Sequence, residues 1–301
     1  MASVSFQNIE KAFGTTKVIH SLSFDIQDGE FMVLVGPSGC GKSTLLPIYN
    51  LFLFSISTKD DAFAGKLWPD HPTLRNFEIV FREQHHFLGH FWRQLWNSLL
   101  IAVSVGVITL LIATTAAFAI SRLKARGGRT VLNCALFTYF IPAAFLAVPM
   151  YKAMGIYGLL NNQWALILAM ITIASPYAIW VLKQASDKLP YELDEAARID
   201  GASPLQLFRL VYLPLMTPSL VAIGIYALLL AWNEYLYAFL LLSREEDVTL
   251  AVALGQFLAA DDSPWELLMT TGLIYALPPA AIYYVFKRYM QAGLTAGAVK
   301  A

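Results

Sequence analysis

The chain is 301 residues long, 57% of them hydrophobic and 14% charged, and its 21 basic and 21 acidic residues cancel. Soluble domains carry about 25% charged residues, so this deficit excludes an ordinary soluble domain over most of the length, and the lack of any basic block or basic–aromatic interleaving excludes nucleic acid as a partner. The two cysteines, Cys40 in a glycine-rich stretch and Cys134 in an apolar run, form neither a metal spacing nor a disulfide framework.

The first 44 residues read as the start of a soluble α/β domain, polar and mixed, with no cleavable signal peptide. Val4–Phe6 and Val18–Ile26 are short strand-like runs, and Phe31–Val35 is an apolar strand leading into GPSGCGKST, Gly36 to Thr44. That stretch satisfies the P-loop pattern G-x-x-x-x-G-K-[ST]. Gly36, Gly39 and Gly41 let the backbone curl so that its N–H groups point at phosphate oxygens. Lys42 would reach the outer phosphates, Ser43 would bind Mg²⁺, and Thr44 closes the motif. The segment resembles the first residues of a sugar-importer ABC ATPase, a family that places an aromatic against adenine at the position of Phe13. The rest of such a domain is missing. No LSGGQ-like signature follows, no apolar strand ends in paired acids, and no switch histidine comes after one. A piece of about 45 residues buries too little surface to fold alone. Residues 1–46 are therefore expected to be a truncated ATPase fragment whose nucleotide site is vestigial.

The junction falls near Leu45–Pro47, where the chain turns apolar. Leu45–Ile56 offers 12 apolar residues, short of the ~20 that cross the hydrocarbon of a bilayer. Five longer spans follow: Leu99–Ile120, with 22 uncharged residues; Val131–Tyr151, with Pro142 and Pro149; Trp164–Leu182, with Pro176; Leu215–Leu242, with Pro218 and Glu234; and Leu267–Phe286, with Pro278 and Pro279. Prolines persist in such helices where neighbouring helices or water satisfy the freed backbone groups, so the prolines mark either a polar route or simple kinks.

The positive-inside rule orients these spans. Loop 121–129 holds Arg122, Lys124, Arg126 and Arg129 without an acid and is expected inside. Loop 155–163 is uncharged and loop 243–266 has six acids against Arg244, so both are expected outside. Segment 183–212 and the tail after Phe286 then fall inside, and residues 58–92 form an external loop of 35 residues. His85, His86 and His90 lie in that loop, but no carboxylate completes a ligand pattern, and a solvated loop is the expectation rather than a metal site.

Between the third and fourth long spans the chain reads EAARIDGASPLQLFRLVYLP, residues 195–214. Pro190 suits the first turn of a helix over 190–199, and Gly201 suits the left-handed position past its end. Ser203 can cap a second helix with Pro204 at its first position, and Pro214 marks entry into the next span. The expected product is helix–tight turn–helix, with Leu205, Phe208, Val211 and Tyr212 on an apolar face and Glu195 within reach of Arg198. By spacing alone it is either a docking element or an amphipathic loop lying on lipid.

The same stretch matches EAA-x3-G-x9-I-x-LP of the ABC importer permeases, with Val211 in the Ile position. The resemblance implies that Glu195, Ala196, Ala197, Asp200, Gly201, Leu213 and Pro214 belong to a coupling helix that docks in a groove of a separate ATPase subunit. PTLRNF (72–77), NSLLIA (97–102), PYAIWVLKQ (176–184), WNEYLYAFLLL (232–242) and GLTAGAVK (293–300) look like the carbohydrate branch of that family, the maltose and glycerol-phosphate type. The likeness covers residues 47–301; the foreign N-terminus and the lost half of the first helix depart from it.

Glu234 is costly inside a bilayer and is flanked by Trp232, Asn233 and Tyr235. These four are candidates for the rim of a sugar path, where aromatics stack on sugar faces; an interfacial anchor belt is the competing reading.

The expected fold is an all-α polytopic membrane protein with a type I ABC importer transmembrane domain of about six helices, the first truncated or chimeric, behind a short α/β P-loop fragment. The expected function is the permease subunit of an ATP-driven carbohydrate importer in the bacterial cytoplasmic (inner) membrane. The family implies an ATPase subunit dimer that binds ATP and Mg²⁺, a second permease subunit, an extracytoplasmic sugar-binding protein and surrounding lipid; no cofactor is expected in this chain. A permease of the same superfamily for amino acids or peptides is the alternative, and a membrane-anchored P-loop ATPase a distant third.

Overall fold

The computed structural model describes residues 4–13, 16–26, 42–63, 66–258 and 263–295, with side chains described from residue 48 to 287 within those stretches. The chain packs as two units, residues 1–85 with 261–274 and residues 86–260 with 275–301.

The first unit opens with two antiparallel strands, β1 (Val4–Phe13) and β2 (Thr16–Ile26), paired from Val4 opposite Ile26 to Phe13 opposite Thr16 with register shifts between Phe6 and Ala12. The expected strands are thus longer than their apolar runs and form one hairpin. The expected strand Phe31–Val35 and the loop glycines Gly36, Gly39 and Gly41 lie outside the described residues. Lys42, Ser43 and Thr44 open helix α1 (Lys42–Ser55), which runs without a break across the expected junction. Its 14 residues rise roughly 21 Å, short of the ~30 Å hydrocarbon core.

Residues after α1 are more ordered than a solvated loop requires. They form α2 (Lys59–Ala62) and α3 (Arg75–Phe81). The buried Asn76 of the PTLRNF run donates through its side-chain amide to the carbonyls of Ser55 (3.1 Å) and Ser57 (2.8 Å). The last carbonyls of a helix lack intrahelical partners, and Asn76 supplies one for the end of α1.

The second unit is built on α4 (Phe91–Ser121), which at 31 residues exceeds the expected Leu99–Ile120 at its start. Next come α5 (Gly128–Leu136), a 3₁₀ turn Phe137–Phe140, and α6 (Ala143–Ile156). The sequence pointed to one span over Val131–Tyr151; the structure instead bends by 107° between Phe140 and Ala143. Ile141 is extended (φ −89°, ψ 117°) ahead of Pro142, and Pro142 itself is extended (φ −55°, ψ 132°) as the cap of α6. A residue before proline is pushed out of the helical region, and proline has no N–H to continue the ladder.

Helix α7 (Gln163–Asp187) carries Pro176 inside it without a break. Then follow α8 (Glu192–Ile199), α9 (Pro204–Gln206), a π-helical segment Leu207–Tyr212, and α10 (Leu213–Trp232). The expected span Leu215–Leu242 is also two pieces, because α10 stops at Trp232 and α11 covers Leu236–Leu241. Here side chains supplement the backbone ladder: the Asn233 side-chain amide joins its own backbone N–H at the Leu229 carbonyl (2.9 Å), and the Glu234 carboxylate accepts the Tyr237 N–H (2.8 Å). Helix α12 (Leu250–Leu258) occupies what charge alone marked as an external loop, and its Leu250, Val252, Ala253 and Phe257 are buried. The last helix, α13 (Trp265–Thr295), includes Pro278 and Pro279 and contributes to both units. Among the described residues four helices are long and apolar enough to cross a membrane, or five if the bent pair counts as one span.

Small residues set the spacing of the bundle. Ala102, Ala113 and Ala117 of α4 and Ala169, Ala174 and Ala178 of α7 are fully buried. A Cβ on Gly106 would meet Leu228 Cβ at 3.3 Å and the Gly224 carbonyl at 3.4 Å, so α4 and α10 touch nearly backbone to backbone. Lipid tails are as apolar as leucine, so close van der Waals contact through small residues drives such association.

Candidate functional site

Loop 188–214 is folded by local chemistry that can be followed residue by residue. Glu192, Asp194 and Glu195 fill the first turn of α8 and Arg198 its last, a distribution that complements the helix dipole. The helix starts two residues after Pro190 rather than on it. It ends at Asp200, and Gly201 follows with φ +83°, the left-handed conformation that side chains disfavour. The Gly201 N–H donates to the Arg198 carbonyl (3.0 Å) and the Ala202 N–H to the Ala197 carbonyl (2.9 Å), the paired bonds of a Schellman turn. A Cβ on Gly201 would meet nothing within 4 Å, so the demand for glycine is conformational and not a matter of space.

The second arm starts with a capping box. Ser203 Oγ accepts from the Gln206 N–H (3.3 Å), the Gln206 side chain accepts from the Ser203 N–H (2.8 Å), and Pro204 takes the first helical position. The ladder then widens to π-type over Leu207–Tyr212 as it approaches Pro214, which has no N–H to offer the carbonyl one turn back.

The buried face of this arm differs from the expected one. Leu207 and Tyr212 are buried and Phe208 and Val211 partly so, but Leu205 is 66% exposed. Together with Ile199 at 85% and Leu210 at 71%, Leu205 leaves apolar surface that this chain does not cover. Glu195, Ala196, Asp200, Gly201 and Pro214 are exposed, while Ala197 and Leu213 are half-buried. Glu195 and Arg198 do not pair among the described residues. The ion pair that α8 makes comes from its neighbour Asp194, whose Oδ2 lies 3.3 Å from Nη1 of Arg122.

Arg122 is a functional candidate that sequence reasoning passed over, because it counted only as one of four basic residues in an inside loop. Its side chain is 1% exposed. It also donates through Nη2 to the carbonyls of Ser186 (2.7 Å) and Leu189 (3.0 Å) and through Nε to Ser186 Oγ (3.3 Å). The Tyr191 ring covers the guanidinium at 4.6 Å, and the Tyr191 hydroxyl donates to the Ser121 carbonyl (3.3 Å). Ser121 and Ser186 share a hydrogen bond of 2.6 Å between their hydroxyls.

The four candidates for a sugar path do not form one surface. Trp232 is buried and stacks on Tyr275, with ring centroids 5.0 Å apart, while the Tyr275 hydroxyl donates to the Trp232 carbonyl. Asn233 is exposed, and its amide is engaged with its own helix. Glu234 is half-buried and caps α11. Tyr235 is exposed and stacks on Phe239 at 5.8 Å. Among the described residues no group of three or more His, Cys, Asp or Glu side chains is placed to hold a metal.

Residues 108–295 match the family model for the binding-protein-dependent transport system inner membrane component. A second model, ABC transporter, matches residues 19–91 and takes in the P-loop motif. The chain is 32% identical over 260 residues to the inner membrane ABC transporter permease protein YcjP of Escherichia coli (strain K12), covering 85% of this chain and 91% of that protein. It is 33% identical over 258 residues to the trehalose transport system permease protein SugB of Mycobacterium tuberculosis (strain CDC 1551 / Oshkosh), covering 85% and 92%. The fold is similar to that of a chain in a bacterial ABC transporter involved in import of the acidic polysaccharide alginate, with TM-score 0.68, 24% identity, and coverage of 86% of this chain and all of that one.

Proposed function

The chain belongs to the family of binding-protein-dependent transport system inner membrane components, and from that premise we propose that it is the permease subunit of an ATP-driven importer for a carbohydrate or sugar derivative. The sugar class is supported by 33% identity to a trehalose permease along nearly the whole of that protein. The inner, or cytoplasmic, membrane is supported by the family's own description and by the four long apolar helices among the described residues.

The observation that carries the mechanism is the helix–turn–helix at 192–212, rigidly capped at Gly201 and Ser203 yet showing exposed Ile199, Leu205 and Leu210. Large apolar side chains left exposed on a capped, ordered element suit an interaction site. The partner is a separate ATPase subunit, present as a dimer, which binds ATP and Mg²⁺. A second permease subunit completes the path, and an extracytoplasmic binding protein delivers the sugar. Closure of the ATPase dimer displaces the loop, the helices rock, and the path opens first outward and then inward. This chain makes and breaks no bond, and it holds no cofactor of its own.

The test is copurification with the ATPase subunit and the sister permease, followed by uptake of a labelled sugar by the reconstituted complex. Competition by sugars and not by amino acids or peptides is the expected result. Competition by amino acids alone assigns the chain to another branch, and ATP hydrolysis by this chain on its own overturns the division of labour.

A further inference from the structure

Two side chains, Phe118 in the last turn of α4 and Arg122 capping its end, grip the two arms of the loop separately. Phe118 and Arg122 are four residues apart, and the Arg122 N–H donates to the Phe118 carbonyl (2.8 Å), so they share one helix face. Phe118 meets the downstream arm: its ring centroid lies 5.1 Å from Phe208 and 4.9 Å from Tyr212, edge-on to both. Arg122 meets the upstream arm through Asp194, and Asp194 is the one buried residue of α8. Ala197 of α8 also packs, partly buried, against the core cluster, but among the described residues the ion pair of α8 to the helices behind it runs through Asp194.

The Arg122 fork reaches further. Its bonds to Ser186 and Leu189 tie the end of α7 into the same knot, and the Ser121–Ser186 hydrogen bond repeats the link one residue away. The planar guanidinium presents five donors in fixed directions, which suits simultaneous contact with a carboxylate and two carbonyls. Lysine offers a single charged point and cannot hold all three.

We propose that Arg122 is the positioning residue through which the loop acts, joining α8, the end of α4 and the end of α7 into one body that receives the ATPase stroke. The inference rests on the permease reading for its purpose, but its geometry can be tested apart from any substrate. Displacement of α8 is delivered to α4 and α7 together. The tight turn at Gly201 lets the two arms hinge only slightly, because Phe118 holds the other arm to the same helix.

Spin labels at Leu123 and Glu192, in a chain whose two cysteines Cys40 and Cys134 are serine, measure the separation of α4 from α8 in the assembled complex. The expected result is one narrow distance, equal in nucleotide-free and ATP-bound complexes, which broadens in Arg122→Ala. A narrow distance that survives in Arg122→Ala overturns the proposal, as does a wild-type distance that already changes with nucleotide. Where Arg122→Ala fails to accumulate, Asp194→Asn carries the same comparison, since it keeps the shape and one acceptor. The second readout is sugar moved per ATP hydrolysed. It should fall about tenfold in Arg122→Ala, within the usual range of coupling energies, with the ATPase subunit still bound and partial recovery in Arg122→Lys. Loss of transport and hydrolysis in parallel, together with loss of the ATPase subunit, indicates a merely structural role and overturns it. Failure of the wild-type complex to move any sugar contradicts the permease reading alone and leaves the distance measurement decisive for Arg122.

Discussion

The side-chain amide of Gln163 donates to Oδ1 of Asn97 across 2.8 Å, at the end of α4 opposite Arg122. The Asn97 amide in turn donates to the carbonyls of Glu246 (2.9 Å) and Val248 (3.2 Å), and the neighbouring Ser98 Oγ accepts the N–H of Leu250 (2.9 Å). One asparagine thus holds α4, α7 and the segment before α12 together, much as Arg122 does at the other end.

Asn97→Leu keeps the branching of the side chain and removes its three hydrogen bonds, leaving two carbonyls and the Gln163 amide without their partner. A buried polar group left unsatisfied costs about 1–3 kcal/mol. The purified chain should therefore unfold at a lower temperature in detergent, while its affinity for the ATPase subunit is unchanged. A variant as heat-stable as the parent contradicts the role given to Asn97.

Gly201 should tolerate substitution according to backbone conformation rather than size, because its φ is +83° and the space beside it is open. The left-handed region costs a side-chain-bearing residue about 1–2 kcal/mol, with asparagine the best tolerated and β-branched residues the worst. Sugar moved per ATP is expected to decline from Gly201→Asn through Gly201→Ala to Gly201→Val, with each variant still in the membrane. Equal coupling in Gly201→Val and the parent removes the turn from the mechanism.

Ile199, 85% exposed, and Leu205, 66% exposed, leave most of their surface outside the packing of the described residues. Ile199→Asp and Leu205→Asp should leave thermal stability within about 0.5 kcal/mol, as surface changes usually do. Both should nevertheless release the ATPase subunit during copurification. Retention of that subunit at parental levels by the double variant places the docking surface elsewhere.

Helix α1 is 14 residues long and falls short of a full crossing. Removing residues 1–44 and restoring a first helix of about 20 apolar residues should raise the yield of complex with the partner subunits. Equal yields from the two forms show that the N-terminal segment does not hinder assembly.

Much of the framework was legible in the sequence, for identifiable reasons. Long uncharged runs are long enough to cross a bilayer, and Gly201, Ser203 and Pro204 each suit a backbone position that other residues fill poorly, so the turn was placed to the residue. The two broken spans were not legible. Pro142 caps the start of α6 at a bend while Pro176 and Pro278 sit inside their helices, and all three lie in apolar runs. Glu234 was read as a charge within a span because the capping of α11 depends on a chain break that composition does not reveal. Trp232 was read as a rim aromatic, yet it is buried against Tyr275, a residue 43 positions away. Arg122 escaped for a related reason. Four basic residues in a short loop report sidedness, but which of them turns inward depends on Asp194, a residue 72 positions away.

The docking role of loop 192–212 is tested most directly by a photocrosslinker placed at Ile199 in the membrane-embedded complex. A crosslink to the ATPase subunit whose yield changes when ATP is added is expected. Absence of any crosslink to that subunit, from Ile199 and from Leu205 alike, would contradict it.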